Sequence, residues 1–218
     1  MTGKREQAVK GKKRERLAAF NRANILEAAH KLFLEKGIPG TTMDDISKEA
    51  GCSKTTIYSY FESKEDVVNH LFFEGVSVFQ EAVRAEAEKS RNLKEFYNLF
   101  CTSLVAMHKE QPIYYEGVAG EALFDENASP ESIVNKIYTS GEISNATIEE
   151  CIKKAIESKE ISINGDTFET MTLLWFCIMG IVEKSALKES YVKFKLGKTR
   201  EEFLEYAFNK LFTLLERR

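Results

Sequence analysis

At 218 residues, with 43% hydrophobic side chains and only 3 prolines, the chain is long enough to bury a core and too apolar for a disordered or fibrous class. Its net charge of −3 hides a split: residues 1–64 hold 13 Lys/Arg against 8 Asp/Glu, and residues 65–218 hold 18 against 26. Four scattered cysteines without CxxC spacing exclude a disulfide framework, and a basic end on an acidic body suits a polyanion-binding head.

Residues 1–16 are polar, basic and without periodicity, so a disordered extension is expected there. Lys4 to Arg22 hold eight basic and two acidic residues, enough to add a salt-sensitive, sequence-independent term on a nucleic-acid backbone or minor groove. Helix one follows, with Ile25, Ala28, Ala29, Leu32 and Phe33 at helical spacing and Gly37 as its stop. Residues 41–65, TTMDDISKEAGCSKTTIYSYFESKE, then read as two short helices joined by a tight turn. Thr42 and Asp45 form a capping box, and Gly51 stands where a left-handed residue must end the helix. Ser53 caps a short helix over Lys54 to Tyr60 that is rich in hydroxyls, tyrosine and lysine, groups that donate to phosphates and base edges.

Beyond that turn, Ser63 opens a long helix to about Lys89, which would tie head to body. Further helices are expected from about Asn92 to Lys109, over Pro112–Leu123, and from Ser129-Pro130-Glu131, a cap with proline at the first helical position, towards Lys159. Gly165-Asp166 precedes a helix over about Thr167–Glu189, and a Thr199–Glu202 capping box starts the last one. The fold class is all-α with nine helices: an extension (1–16), a helix-turn-helix head (17–64) and a helical body (65–218). The most apolar run, Met171 to Val182, is about a dozen residues, short of a bilayer's width. The basic N-terminus lacks an apolar signal core, so a cytoplasmic protein with no membrane partner is expected.

The run from Gly37 through Thr42, the Ala50-Gly51 turn, Ser53-Lys54, Tyr58-Ser59-Tyr60-Phe61 and Lys64-Glu65 together resemble the tetracycline-repressor (TetR) family over about residues 21–68. That resemblance implies a transcriptional regulator, most simply a repressor. It assigns DNA contact to Thr42, to Ser53, Lys54, Thr55, Thr56, Tyr58, Ser59 and Tyr60 of the recognition helix, and to Lys64 at the start of the long helix. The chemistry agrees: Lys54 can pair with phosphate or guanine, threonine methyls can touch thymine, and the phenols of Tyr58 and Tyr60 are phosphate anchors. One such head reads few base pairs, so a homodimer on a palindromic double-stranded operator is expected, joined through the last two, most apolar helices.

In the body, Phe100, Cys101, Leu104, His108, Tyr114, Tyr115, Phe124, Met171, Trp175 and Met179 offer an aromatic, Met-rich lining for an apolar or aromatic small-molecule effector. Glu121 and Glu183 are weaker candidates for receiving a cationic ligand. No phosphate loop or metal-ligand spacing stands out, and His30, His70 and His108 are isolated, so no enzyme, metal or cofactor is expected. Two other readings stay open: a body that binds a protein partner and no small ligand, and a helical carrier of apolar molecules.

Overall fold

The computed structural model describes residues 2–120 and 127–215, and gives residues 2–10 by their backbone alone. Among the described residues there are ten α-helices and no β-strand. They divide into two compact units, Met1–Phe72 and Phe73–Arg218.

The first unit holds α1 (Thr2–Lys36), α2 (Met43–Glu49), α3 (Lys54–Tyr58) and the start of α4 (Lys64–Lys89). Ile25, Ala29, Leu32 and Phe33 of α1 are buried together with Ile46 of α2, Ile57 of α3, Phe61, and Val67 and Leu71 of α4. Each of these side chains larger than alanine contributes roughly 1.5–3 kcal/mol of apolar burial. Residues 2–16 are not an irregular extension: they continue α1 without a break. Lys, Arg, Glu, Gln and Ala are strong helix formers, so the packed part of α1 nucleates a helix that runs back through them, although residues 11–16 are exposed.

The second unit holds the rest of α4, α5 (Leu93–Glu110), α6 (Pro112–Ala119), α7 (Ile133–Glu157), α8 (Thr167–Leu187), α9 (Glu189–Leu196) and α10 (Arg200–Phe212). Phe79, Val83, Phe100, Leu104, Leu174, Ile178, Val182, Leu204 and Phe208 form its core. Several boundaries differ from the sequence reading: α3 ends at Tyr58 and not at Tyr60, and α6 ends at Ala119, where Gly120 turns left-handed, and not at Leu123. Ser129-Pro130-Glu131 is a turn, and α7 starts after Ser132, whose Oγ accepts from Asn135 N at 3.2 Å. Lys159, with φ 64, takes the left-handed conformation beyond the end of α7. The tenth helix is α9, which follows α8 with no side-chain cap at Lys188 and ends at Gly197 with φ +64, so it offers no start signal to read.

By length and composition α8 could cross a membrane, with mean hydropathy 1.4 in its most apolar window. Met171, Leu174, Ile178 and Val182 on one face are buried in the core of this unit, and Leu173 and Phe176 on the opposite face are exposed.

Where α4 meets α6, the two backbones touch. A Cβ on Gly75 would stand 2.6 Å from both Cα and O of Tyr114, so only glycine lets the helices approach this closely.

Candidate nucleic-acid interface and body cavity

Local chemistry builds the surface of the head. Thr42 Oγ1 accepts from Asp45 N at 3.2 Å, and Thr42 N donates to Asp45 Oδ2 at 3.0 Å, closing the capping box of α2. These bonds from Thr42 hold the Asp45 carboxyl below the usual carboxylate range. Gly51 turns the chain at φ +63, and Asn24 Nδ2 donates to Ala50 O at 2.7 Å, pinning the turn to α1. Ser53 Oγ then accepts from Thr56 N at 3.1 Å and starts α3.

Seen from α3, Ser53, Lys54, Thr55, Tyr58 and Ser59 are exposed, as is Thr42, while Thr56 and Tyr60 are half-buried. Tyr58 is 54% exposed and so stands outside the head's core. Lys54 Nζ lies 2.5 Å from Asp44 Oδ1 in an exposed ion pair, which raises its pKa and holds the ammonium at the surface until a stronger anion competes. Tyr60 Oη accepts from Asn21 Nδ2 at 3.1 Å and so keeps its own O–H to donate. Arg22 stacks 4.6 Å from the centroid of Phe61 and donates to Tyr60 O at 3.3 Å, fixing the end of the α3 segment.

Lys64 has a second task that the sequence did not reveal. Its Nζ donates to Ile38 O at 2.9 Å and to Thr41 O at 3.0 Å, clamping the α1–α2 turn to the start of α4 and leaving one of its three N–H donors. Lys64→Ala should therefore destabilise the isolated head transition in urea by about 2 kcal/mol, the scale of charge-assisted hydrogen bonds. Lys54→Ala, which loses only a surface pair, should leave that transition within about 0.5 kcal/mol.

The body contains two adjoining apolar chambers. One, of about 240 Å³, is lined by Phe96, Phe100, Ile152, Phe168 and Met171, among others. The other, of about 230 Å³, is lined by Val76, Phe79, Gly117 and Ile137, among others. Asn145, Ile148 and Trp175 line both. Of the residues proposed from sequence, Phe100, Met171 and Trp175 come together here. Leu104 is fully buried in the core, and Tyr114 donates to Glu74 Oε2 at 2.8 Å. Burial and that carboxylate push the Tyr114 phenol up to about 12.

His108, Tyr115 and Met179 form a separate cluster that lines neither chamber. The His108 and Tyr115 rings meet edge-on at 4.8 Å, and Tyr115 Oη lies 3.6 Å from Met179 Sδ. Burial, reinforced by the Arg200 charge, lowers the His108 pKa and favours the neutral ring. Phe124 and Glu121 lie outside the described residues. The α7 residues Asn145, Ile148 and Ile152, at helical spacing on one face, were missed; that spacing was the available signal.

Glu86 is the other unusual group in the body. It is buried, Ser103 Oγ donates to its Oε1, and its Oε2 has no hydrogen-bond partner. Burial raises its pKa, so the folded state binds this proton more tightly than the unfolded chain. The penalty is present when the carboxylate is ionised and disappears as pH falls through the raised value. Glu86→Gln should raise Tm at neutral pH by a few degrees, about 1 kcal/mol, with the difference from wild type vanishing on acidification.

Residues 25–71 match the family model for bacterial regulatory proteins, tetR family. The E. coli K12 regulator RutR is 30% identical over 147 residues, a match covering 59% of this chain and 64% of RutR. Over that segment the chain is similar to the TetR family. The biofilm operon icaADBC negative regulator IcaR of Staphylococcus aureus Newman is 23% identical to this chain over 177 residues, covering 78% of it and 91% of IcaR. FadR of Bacillus subtilis, solved with stearoyl-CoA, shares the fold with TM-score 0.60 and 21% identity, over 88% of this chain and 97% of that one. The chain thus spans less than two thirds of RutR, while both other proteins align along almost their whole length.

Proposed function

We propose that this protein is a cytoplasmic, homodimeric transcriptional repressor of the TetR family that binds a palindromic operator and leaves it when a small apolar or aromatic molecule enters the body. The observation that carries the reading is the exposed set of Lys54, Thr55, Tyr58 and Ser59 on a doubly capped α2–α3 unit, within the segment that matches the family. Lys54, Ser53 and Thr55 would meet base edges; Thr42, Tyr58, Tyr60 and the remaining N–H of Lys64 would meet phosphates.

The effector part of the proposal is supported by the paired chambers and by the acyl-CoA bound in a protein of the same fold. The dimer part is supported by a largely apolar groove between α8 and α10, lined by Phe176, Ile181, Phe203, Ala207, Leu211 and Leu214, among others. An exposed patch this apolar marks an interaction site. Two copies of α8 and α10 would form a four-helix bundle.

Selection of binding sites from a random duplex pool at near-physiological salt tests the reading. Enrichment of a palindrome with two half-sites is the expected result. Retention of every duplex alike, falling away with salt, would overturn sequence-specific regulation.

A further inference from the structure

The two chambers share a wall. Trp175 packs against Phe79 on one side, with ring centroids 6.0 Å apart, and against Phe100 on the other, at 6.2 Å. Phe79 lines only the second chamber and Phe100 only the first, while Asn145 and Ile148 of α7 line both beside Trp175. Neither chamber alone reaches the several hundred Å³ usual for a ligand pocket. Joined, they would hold about 470 Å³.

The polar groups on these walls are few. In the first chamber the Tyr97 hydroxyl donates to Phe208 O at 3.1 Å and the Thr172 hydroxyl to Phe168 O at 2.9 Å, so both protons are committed within the protein. Asn145 Nδ2 is anchored on Glu142 Oε1 at 3.0 Å. The Trp175 indole N–H makes no hydrogen bond among the described residues. No described residue lining the first chamber is charged, and the one charged residue lining the second is Glu142, an anion. A carboxylate or phosphate entering here would lose its hydration with no cation to meet it.

We propose that the site takes an uncharged, elongated apolar molecule carrying one neutral oxygen, such as a long-chain alcohol or a phenol, and that Trp175 is the partition that sets its length. This rests on the reading of the chambers as the effector site. The ligand oxygen would accept from the indole N–H or share the Asn145 amide, and its apolar part would fill one chamber against Phe100 and Met171.

Trp175 is the only tryptophan in the chain, so its emission reports occupancy directly. Titrating the protein with n-alkanols from octanol to hexadecanol, and with the matching alkanoates at neutral pH, should quench or shift that emission for the alcohols. The alkanoates of equal length should bind at least about tenfold more weakly, because no described residue lining either chamber is a cation. Calorimetry on Trp175→Ala should show the tightest-binding alcohol moving to a longer homologue, since removing the ring joins the chambers. Trp175→Phe, which keeps a ring in the wall, should hold the wild-type length preference.

Alkanoates binding as tightly as alcohols, or an unchanged length optimum in a folded Trp175→Ala protein, would overturn the proposal while leaving the chambers as a ligand site. Unperturbed emission with every probe would overturn the ligand site itself, and the proposal with it.

Discussion

Replacing Phe176 with glutamate should convert the protein to monomers and weaken its hold on a two-half-site duplex by about 10²–10⁴-fold, the range that bivalent attachment supplies. Phe176 is 67% exposed on α8 and borders the groove between α8 and α10, so the substitution removes no core contact within one protomer. In a dimer packed on this groove the new carboxylate would take the place of an apolar ring and be drawn away from water. Sedimentation should show the shift in mass, and the helical signal and the head's urea midpoint should stay at wild-type values. Binding to a single half-site should also be unchanged, which separates loss of pairing from damage to the reading surface. A Phe176→Glu protein that remains dimeric would place the dimer surface elsewhere.

The second large effect is expected at Gly75. An alanine there forces its Cβ to 2.6 Å from the Tyr114 backbone, and backbone cannot rotate aside as a flexible side chain would. The contact can be relieved only by separating α4 from α6, at a cost of about 1–3 kcal/mol and a Tm lower by about 5–10 °C. Gly141→Ala is the control. Nothing lies within 4 Å of its added methyl in the middle of α7, so that variant should gain about 0.5–1 kcal/mol from reduced chain entropy. The same contact bears on regulation. Helix α6 carries Gly117 and Val118 of the second chamber, and α4 runs on into the first unit, so a ligand that displaces α6 would push directly on α4. A folded Gly75→Ala protein should therefore show altered operator affinity even without effector, measured by titration against the selected palindrome.

Legibility in the sequence follows the range of the interactions. The Thr42–Asp45 box, the left-handed Gly51 and the Ser53 cap are three-residue events, and each appears where its residue type predicts. The start of α7 was misplaced because Ser129 and Ser132 offer the same cap chemistry three residues apart, and only packing chooses between them. Capping of α5 was partly invisible for another reason. Besides Asn92, the Glu160 carboxylate accepts from Leu93 N and Lys94 N at 3.1 Å from a different helix–turn segment. Lys64 likewise reads as a free cation until the fold brings two carbonyls to it. Composition could name aromatic and Met-rich residues for a pocket, but it could not separate Phe100, Met171 and Trp175, which border space, from Leu104 and Met179, which fill it.

The unbroken run of α1 changes what its basic start can do. A helix advances about 1.5 Å per residue, so the fifteen residues before Leu17 reach about 22 Å along one line, whereas the same residues unwound could wander over about 50 Å. A string of that length could search around a duplex and thread a narrow groove. A rod cannot; it holds Lys12, Lys13, Arg14 and Arg16 at fixed positions along the α1 axis, set by the same core that seats α2 and α3. Whatever anion those charges meet is met along a fixed line, and the entropy lost on arrival is that of side chains and not of backbone.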